Sequence, residues 1–376
     1  MDKLGIYVHI PFCKSKCKYC DFISFSCKES NIKEYFDVLI KEIQNTKYNK
    51  NKEVTTIYLG GGTPSVPDSK YIVNTLQTIK KVFRISSNAE ITIEINPGTI
   101  TKQKLVDYKN AGVNRISIGL QSTNDRILKL IGRIHNYEQF INTYNLVKEV
   151  GYNNINVDLM LGIPTQTEDE LIDSVRKVIK LNPNHISIYS LIVEENTEIK
   201  KMIDNNKIKM ISEETERNMY WKTKKMLQKN NFNHYEISNF AKKGYESKHN
   251  LDCWNQEEYI GFGLSAHSYI DKKRFSNTEN FNEYIQNKDN LDKNIIISEI
   301  QDRQDQCKEY MLIGLRKIDG VSISEFERKF RINPLFYFRF EISNLVQKEL
   351  IEVDLDKIKL TKKGLDFANI VFEEFI

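Results

Sequence analysis

The sequence predicts an α/β fold, a partial (β/α)6 TIM-like barrel followed by a small C-terminal winged-helix-like domain, and three observations support it. Short β-branched runs alternate with amphipathic stretches through the first 235 residues, the pattern of repeated βα units around a parallel sheet. Six such units fit this length, where a closed eight-stranded barrel would need more chain. After a stretch rich in glycine, asparagine and aromatic residues, the chain ends in short helices and one hairpin. The domains are therefore read as 1–235, the barrel core; 236–300, a loop-rich connecting region; and 301–376, the C-terminal unit.

The predicted strands are Gly5–Ile10, Thr55–Leu59, Glu90–Ile95, Asn114–Gly119, Asn154–Leu161 and His185–Leu191, all short runs dominated by β-branched and apolar residues. Between the first two, Phe36, Leu39, Ile40 and Ile43 recur at i, i+3, i+4 and i+7, one apolar face of a helix. Further helices are expected at Asp68–Phe83, Thr101–Ala111, Tyr137–Gly151, Thr167–Lys180 and Glu213–Asn230. In the last segment, helices are expected at Gln301–Lys317, just after Val321 and at Phe338–Lys348, with a hairpin over Ile351–Leu360. This arrangement resembles a winged helix, but Gln306–Ile376 carries 12 Lys or Arg against 12 Asp or Glu, and a net charge of zero favours a protein-packing cap over a nucleic-acid reader.

Composition sets the bounds. The 376 residues carry 55 basic and 51 acidic side chains, a net +4, which excludes a polybasic nucleic-acid tail as the main theme. Hydrophobic residues at 40% and charged residues at 28% exclude disorder over most of the length. The apolar run Ile6–Ile10 is too short for a signal-peptide core, and nothing approaches a transmembrane span, so a cytoplasmic location is expected. Six cysteines are too sparse for a disulfide scaffold, and a reducing compartment leaves thiols free for metals.

Three of those cysteines, Cys13, Cys17 and Cys20, form C-x-x-x-C-x-x-C in the loop after the first strand. Three thiolates on one tight loop can hold three irons of a 4Fe–4S cube and leave the fourth iron open. The competing reading is a zinc knuckle, which needs a fourth ligand from His9, Cys27 or a distant residue. Further polar groups sit at the carboxyl ends of the predicted strands, where residues of a parallel sheet converge. They comprise Gly60-Gly61-Gly62-Thr63-Pro64, whose missing side chains are expected to let backbone approach a ligand, then Glu94, Gln121, Arg133, and Asp158 inside the apolar fifth strand. A lone carboxylate in such a strand is costly unless it has a hydrogen-bonding task.

The cysteine spacing, with Tyr19 before the third cysteine, resembles the radical S-adenosylmethionine superfamily. That resemblance implies a 4Fe–4S cluster whose open iron chelates S-adenosylmethionine, which one electron cleaves to methionine and a 5'-deoxyadenosyl radical. It maps Gly62, Thr63, Glu94, Gln121, Arg133 and Asp158 onto S-adenosylmethionine contacts and places Tyr7 and Tyr19 near the cluster. The chemistry suits those roles, with acids and an amide for ribose hydroxyls and Arg133 for a carboxylate.

Longer stretches resemble the coproporphyrinogen oxidase-like branch of that superfamily: Gly112-Val113-Asn114-Arg115-Ile116-Ser117-Ile118-Gly119, Val157-Asp158-Leu159-Met160-Leu161-Gly162-Ile163-Pro164, Tyr235-Glu236-Ile237-Ser238-Asn239-Phe240-Ala241, and the tail with Gly314-Leu315-Arg316 and Leu360-Thr361-Lys362-Lys363-Gly364. Within the branch, the oxygen-independent coproporphyrinogen III oxidases carry a fourth cysteine two positions after the third and a longer N-terminal arm. Here that position is Phe22, and only twelve residues precede Cys13. The heme-chaperone subgroup also has an H-N-x-x-Y-W element, matched by His249-Asn250-Leu251-Asp252-Cys253-Trp254, with Cys253 in place of the tyrosine.

The resemblance therefore implies a chaperone that binds heme and passes it to an acceptor protein. The alternative is an oxidase that decarboxylates two propionates of coproporphyrinogen III, which the absent fourth cysteine disfavours. His249 is the expected heme contact, since imidazole is a common axial ligand, and Cys253 is a second candidate. His267 and Cys307 are read as structural, and Cys27 as a spare thiol. Expected partners are heme and its acceptor, with peripheral membrane association left open and no nucleic acid.

Overall fold

The computed structural model describes residues 2–26, 29–48 and 52–376. Six strands run parallel and side by side in chain order: β1 Asp2–Ile10, β2 Lys52–Gly61, β3 Arg84–Ile95, β4 Arg115–Gln121, β5 Ile155–Leu161 and β6 His185–Ser190. The register aligns Tyr7 with Tyr58, Tyr58 with Thr92, Glu94 with Ser117, Ser117 with Asn156, and Asn156 with His185. Successive side chains on a strand point to opposite faces. One set, including Ile6, Val8, Ile93, Ile118, Val157 and Ile186, is fully buried in the main apolar core with Leu39, Leu76 and Leu105 of the surrounding helices. The alternate set, including Tyr58, Glu94, Ser117, Asp158 and Ser187, faces the inside of the partial barrel. That interior is polar, unlike the apolar layers that fill a closed barrel.

The helices fall where the apolar spacing predicts, and their starts are fixed by capping. Asp68 and Thr101 accept from backbone N–H groups at the heads of helices Ser69–Val82 and Lys102–Asn110. Asn136 and Thr167 open Tyr137–Glu149 and Glu168–Leu181 with complete capping boxes. Within residues 1–235 two helices escape the sequence reading, Asp125–Leu130 and Glu198–Asp204, because six or seven residues are too few to display a helical period. Both matter to the site. The first leads into Arg133, and the second braces the cysteine loop through Ile199 N–H donating to the Lys18 carbonyl at 2.8 Å.

The stretch expected as a loop-rich connector is where the structure departs most. Its strands belong to the same twelve-stranded sheet. β7 Asn233–Glu236 and β8 Asn239–Ala241 continue past β6, with β8 antiparallel to it. β9 Tyr259–Phe262 lies parallel to β1, followed outward by β10 His267–Ile270, β11 Lys273–Asn277 and β12 Ile295–Ile300. Strands of three to six residues are too short to show alternation convincingly, so the sequence reads as loop. Phe240, Ile260, Phe262 and Tyr284 join the main core, so this region is part of the barrel layer.

The C-terminal unit has its own core around Met311, Leu315, Phe326, Leu345, Ile358 and Val371. Its small sheet of β13 Val321–Ser322, β14 Ile351–Asp354 and β15 Lys357–Leu360 forms the wing. It docks on the barrel through Trp221 Nε1 donating to Asp366 at 2.8 Å, Ile237 N–H donating to the Arg316 carbonyl at 3.1 Å, and the Arg316 guanidinium 4.5 Å from the centre of the Trp254 ring. A unit that packs this way fits the role of cap expected from its balanced charge.

Candidate functional site

β1 ends at Ile10, and the chain turns across the carboxyl ends of β1 and β2 to present the cysteines. Cys13 N–H donates to the Phe25 carbonyl at 3.1 Å and Phe25 N–H to the Pro11 carbonyl at 2.9 Å, closing the loop on itself. Gly62 and Thr63 donate backbone N–H groups to the carbonyls of Ile10 at 2.9 Å and Phe12 at 2.8 Å. A Cβ on Gly62 would lie 2.9 Å from both the Ile10 oxygen and the Phe12 nitrogen. The space a side chain at Gly62 would need is taken by the cysteine loop, while Gly61, Gly62 and Thr63 line the cavity beside it. Glycine is needed there so that the loop can cross the strand end.

The loop and the strand ends enclose one cavity of about 500 Å³. Cys13, Cys17 and Cys20 line it together with Tyr19, Gly62, Thr63, Glu94, Gln121, Arg133 and Asp158, so ten of the expected site residues share one space. Thr63 Oγ1 lies 3.5 Å from Cys13 Sγ, and Arg133 Nη1 lies 3.5 Å from Cys17 Sγ. Arg133 is further fixed by Nη2 donating to Asn96 Oδ1 at 2.5 Å and to the Gly119 carbonyl, while Asn96 Nδ2 donates to Thr63 Oγ1 at 2.8 Å. Its Nε is buried without a partner. Gln121 sits at φ +71°, a left-handed backbone conformation unusual for a side-chain-bearing residue, where β4 slips register against β5.

Burial governs the electrostatics. It pushes the Cys20 thiol up to about 11, and the neighbouring Cys17 and Cys13 add to the rise, so gathering three thiolates here calls for a strongly cationic centre. Burial likewise raises Glu94 to about 7, opposed by the Tyr58 hydroxyl that donates to its Oε1 at 2.7 Å. Asp158 is also raised by burial, against hydrogen bonds from Asn156 Nδ2 at 2.7 Å and Ser117 Oγ at 3.2 Å. Among the described residues, no three His, Cys, Asp or Glu side chains converge as the ligands of a single ion do. Three thiols spread around one cavity, an orphaned guanidinium nitrogen and acceptor carboxylates opposite fit a cube with three ligated corners beside a zwitterionic nucleoside.

Tyr7 and His249 lie outside the cavity lining. Tyr7 stands behind the wall, its hydroxyl 3.0 Å from His9 Nδ1 and its ring stacked with Tyr58 at 6.4 Å. The expectation of an open heme ligand at His249 is not met in this structure. The ring is 8% exposed, with Nδ1 2.9 Å from Thr56 Oγ1 and its face against Tyr58 at 5.2 Å, beneath the cavity floor. Burial, with the nearby Arg115 charge, lowers it to about 4, so it is a neutral imidazole. Cys253 is half-buried, its thiol pushed up to about 12 by desolvation and the neighbouring Asp252 charge, and Cys27 lies outside the described residues. Sequence reasoning missed Tyr58, two residues before Gly60 on β2, and Asn96, just past the end of β3 and two residues after Glu94. The two-residue period was the signal that could have found them.

Comparison with known proteins decides the family. The radical SAM superfamily model matches residues 7–178, and the HemN C-terminal domain model matches residues 301–367. Heme chaperone HemW of Lactococcus lactis is 35% identical over 370 residues, 98% of this chain and 96% of that protein. HemW of Bacillus subtilis is 35% identical over 98% of both chains.

The chain belongs to the HemW family. Membership in the wider superfamily brings a 4Fe–4S cluster and S-adenosylmethionine as cofactors. Among solved structures, coproporphyrinogen III oxidase HemN of Escherichia coli superposes with a TM-score of 0.87 over 100% of this chain and 90% of that one, at 23% identity. At that identity the match speaks for a shared fold. Phe22, at the position where the sequence lacks the fourth cysteine expected of an oxidase, lines the cavity and is 59% exposed.

Proposed function

We propose that this protein is a heme chaperone, which binds heme at a site holding a 4Fe–4S cluster and S-adenosylmethionine and delivers it to an acceptor protein. Cys13, Cys17 and Cys20 hold the cluster. Arg133, oriented by Asn96, receives the carboxylate of S-adenosylmethionine, and Glu94, Asp158 and Gln121 serve its hydroxyl and amino groups. A bound cluster supplies one-electron chemistry and an open iron corner, while these residues bind, orient and shield.

The observation that carries the heme reading is the rim of the cavity. Apart from Met210, the large apolar side chains exposed among the described residues before Ile296 are Phe22, Ile134, Tyr189 and Ile192, and all four line this one mouth. Apolar surface concentrated at one opening marks a binding face, and a flat macrocycle with an apolar body and charged edges matches it. Delivery is to a protein, at a membrane surface where the acceptor sits there; no helix among the described residues is long and apolar enough to cross a membrane.

Heme titration of the reconstituted protein tests the reading, with saturable one-site binding expected. Phe22→Ala and Ile192→Ala are each expected to weaken that binding by about 1–2 kcal/mol, the worth of a partly buried apolar side chain. Absence of saturable binding in the wild type would sink the chaperone function, and anaerobic formation of protoporphyrinogen IX from coproporphyrinogen III would replace it with the oxidase.

A further inference from the structure

The Lys248–Trp254 helix carries the H-N-x-x-x-W element and closes the amino end of the partial barrel. Its N-terminus is held from inside by Glu90, whose two carboxylate oxygens accept the backbone N–H groups of Lys248 and His249, each at 3.2 Å. His249 then reaches up between β1 and β2. Thr56 fixes Nδ1 at 2.9 Å, and the imidazole lies against the Tyr58 ring with 27° between their planes. Tyr58 lines the cavity and donates its hydroxyl to Glu94 Oε1 at 2.7 Å. Tyr7 flanks the same Tyr58 ring and connects through His9 to the Ile23 carbonyl at the end of the cysteine loop. At its other end, Trp254 packs under Arg316 of the C-terminal unit.

We propose that His249 is a positioning residue of the S-adenosylmethionine site, the support that holds Tyr58 and through it the Glu94 carboxylate, and that the Lys248–Trp254 helix is a strut from this site to the C-terminal unit. The proposal rests on reading the cavity as the S-adenosylmethionine site. An aromatic ring packed against two others and hydrogen-bonded at its tip loses little entropy when the ligand arrives. Removing the support lets Tyr58 swing and leaves Glu94 without its side-chain donor, with the Gly61 backbone N–H remaining. Gly60 enforces the arrangement, because a Cβ there would sit 2.9 Å from Tyr58 Cε1 and 3.1 Å from Glu94 Oε2.

The test measures S-adenosylmethionine binding and heme binding side by side on cluster-reconstituted full-length protein, the former also by the change in the reduced cluster's electron paramagnetic resonance signal. H249A is expected to weaken S-adenosylmethionine binding by about tenfold, as loss of an orienting partner does, and to leave heme binding within about twofold. H249F, which can stack on Tyr58 but cannot ligate iron, is expected to restore most of the loss. Y58F, which removes the bond to Glu94, should reproduce that loss, and H249A/Y58F should be no worse than either change alone. Loss of heme binding in both H249A and H249F with S-adenosylmethionine binding intact would overturn the proposal and make His249 an axial ligand. Unchanged S-adenosylmethionine binding in both H249A and Y58F would overturn it as well. If H249A does not fold, H249F and Y58F decide alone. Wild-type protein that fails to bind S-adenosylmethionine at all would remove the cavity reading and this proposal together, while wild-type heme binding would still stand for the chaperone function.

Discussion

The two ends of the partial barrel are built from the same six strands and the same alternation of apolar outward and polar inward residues, yet they do opposite things. At the amino end most inward polar groups satisfy one another, Arg115 Nε being an exception that is buried without a hydrogen-bond partner. Asn156 alone donates to Ser117 at 2.8 Å and Asp158 at 2.7 Å and meets Ser187 at 3.1 Å and His185 at 2.6 Å, and His185 passes on to the Tyr235 hydroxyl at 2.7 Å. Glu90 is occupied by the helix that plugs this end. At the carboxyl end the same kinds of residue are left facing a cavity, with the cysteine thiols beside them. A polar interior is thus structural where it closes on itself and functional where something holds it open, here the cysteine loop crossing β1 and β2.

Three substitutions or conditions probe that contrast. Cys17→Ala should have the largest effect, complete loss of the broad iron–sulfur absorption after reconstitution, with the apoprotein's thermal unfolding little changed because the amino-end network is untouched. Asn156→Leu should do the reverse. Leaving His185, Ser187 and Ser117 buried without their shared partner is expected to cost about 2–4 kcal/mol in denaturant unfolding. Cluster-loop residues would retain their places, so a variant that folds should still assemble the cluster. If Asn156→Leu unfolds no more easily than the wild type, the amino end is not the self-satisfied network described.

The third and smallest effect is a pH dependence at the carboxyl end. Burial lifts Glu94 from 4.5 to about 7, so the folded state holds its proton longer than the unfolded chain does. Its contribution to apoprotein stability is therefore full below about 4.5 and is lost as pH rises through about 7. Ribose hydroxyls need the ionised form as acceptor, so affinity for S-adenosylmethionine should rise severalfold across that upper limit, between about pH 6 and about pH 8. Glu94→Gln should flatten the profile. A wild-type profile as flat as the variant's would remove Glu94 from the binding surface.

Much of this was legible in the chain. The six parallel strands were readable because short β-branched, apolar runs recur between amphipathic stretches, and the main helices because their apolar residues recur at the helical spacing. The cysteine triplet and the polar residues at strand ends announced a site because parallel strands deliver their carboxyl ends to one place. The short strands β8 to β12 were not legible, since segments of that length carry no reliable period and declare themselves only when paired with β6 or β1. Tyr58 was overlooked because an aromatic residue in an apolar strand looks like core until the fold brings its hydroxyl to Glu94.

His249 marks the division most clearly. The sequence by itself determined that a histidine stands in an H-N-x-x-x-W element, that three thiols share one loop, and that polar residues gather at the carboxyl ends of the strands, because those are properties of neighbours along the chain. Only the tertiary structure decided which of those polar residues face open space and which are sealed, because that depends on depth along the barrel axis and on what covers each end. The Lys248–Trp254 helix covers one end and puts the imidazole behind Tyr58, while the cysteine loop leaves the other end open to a ligand.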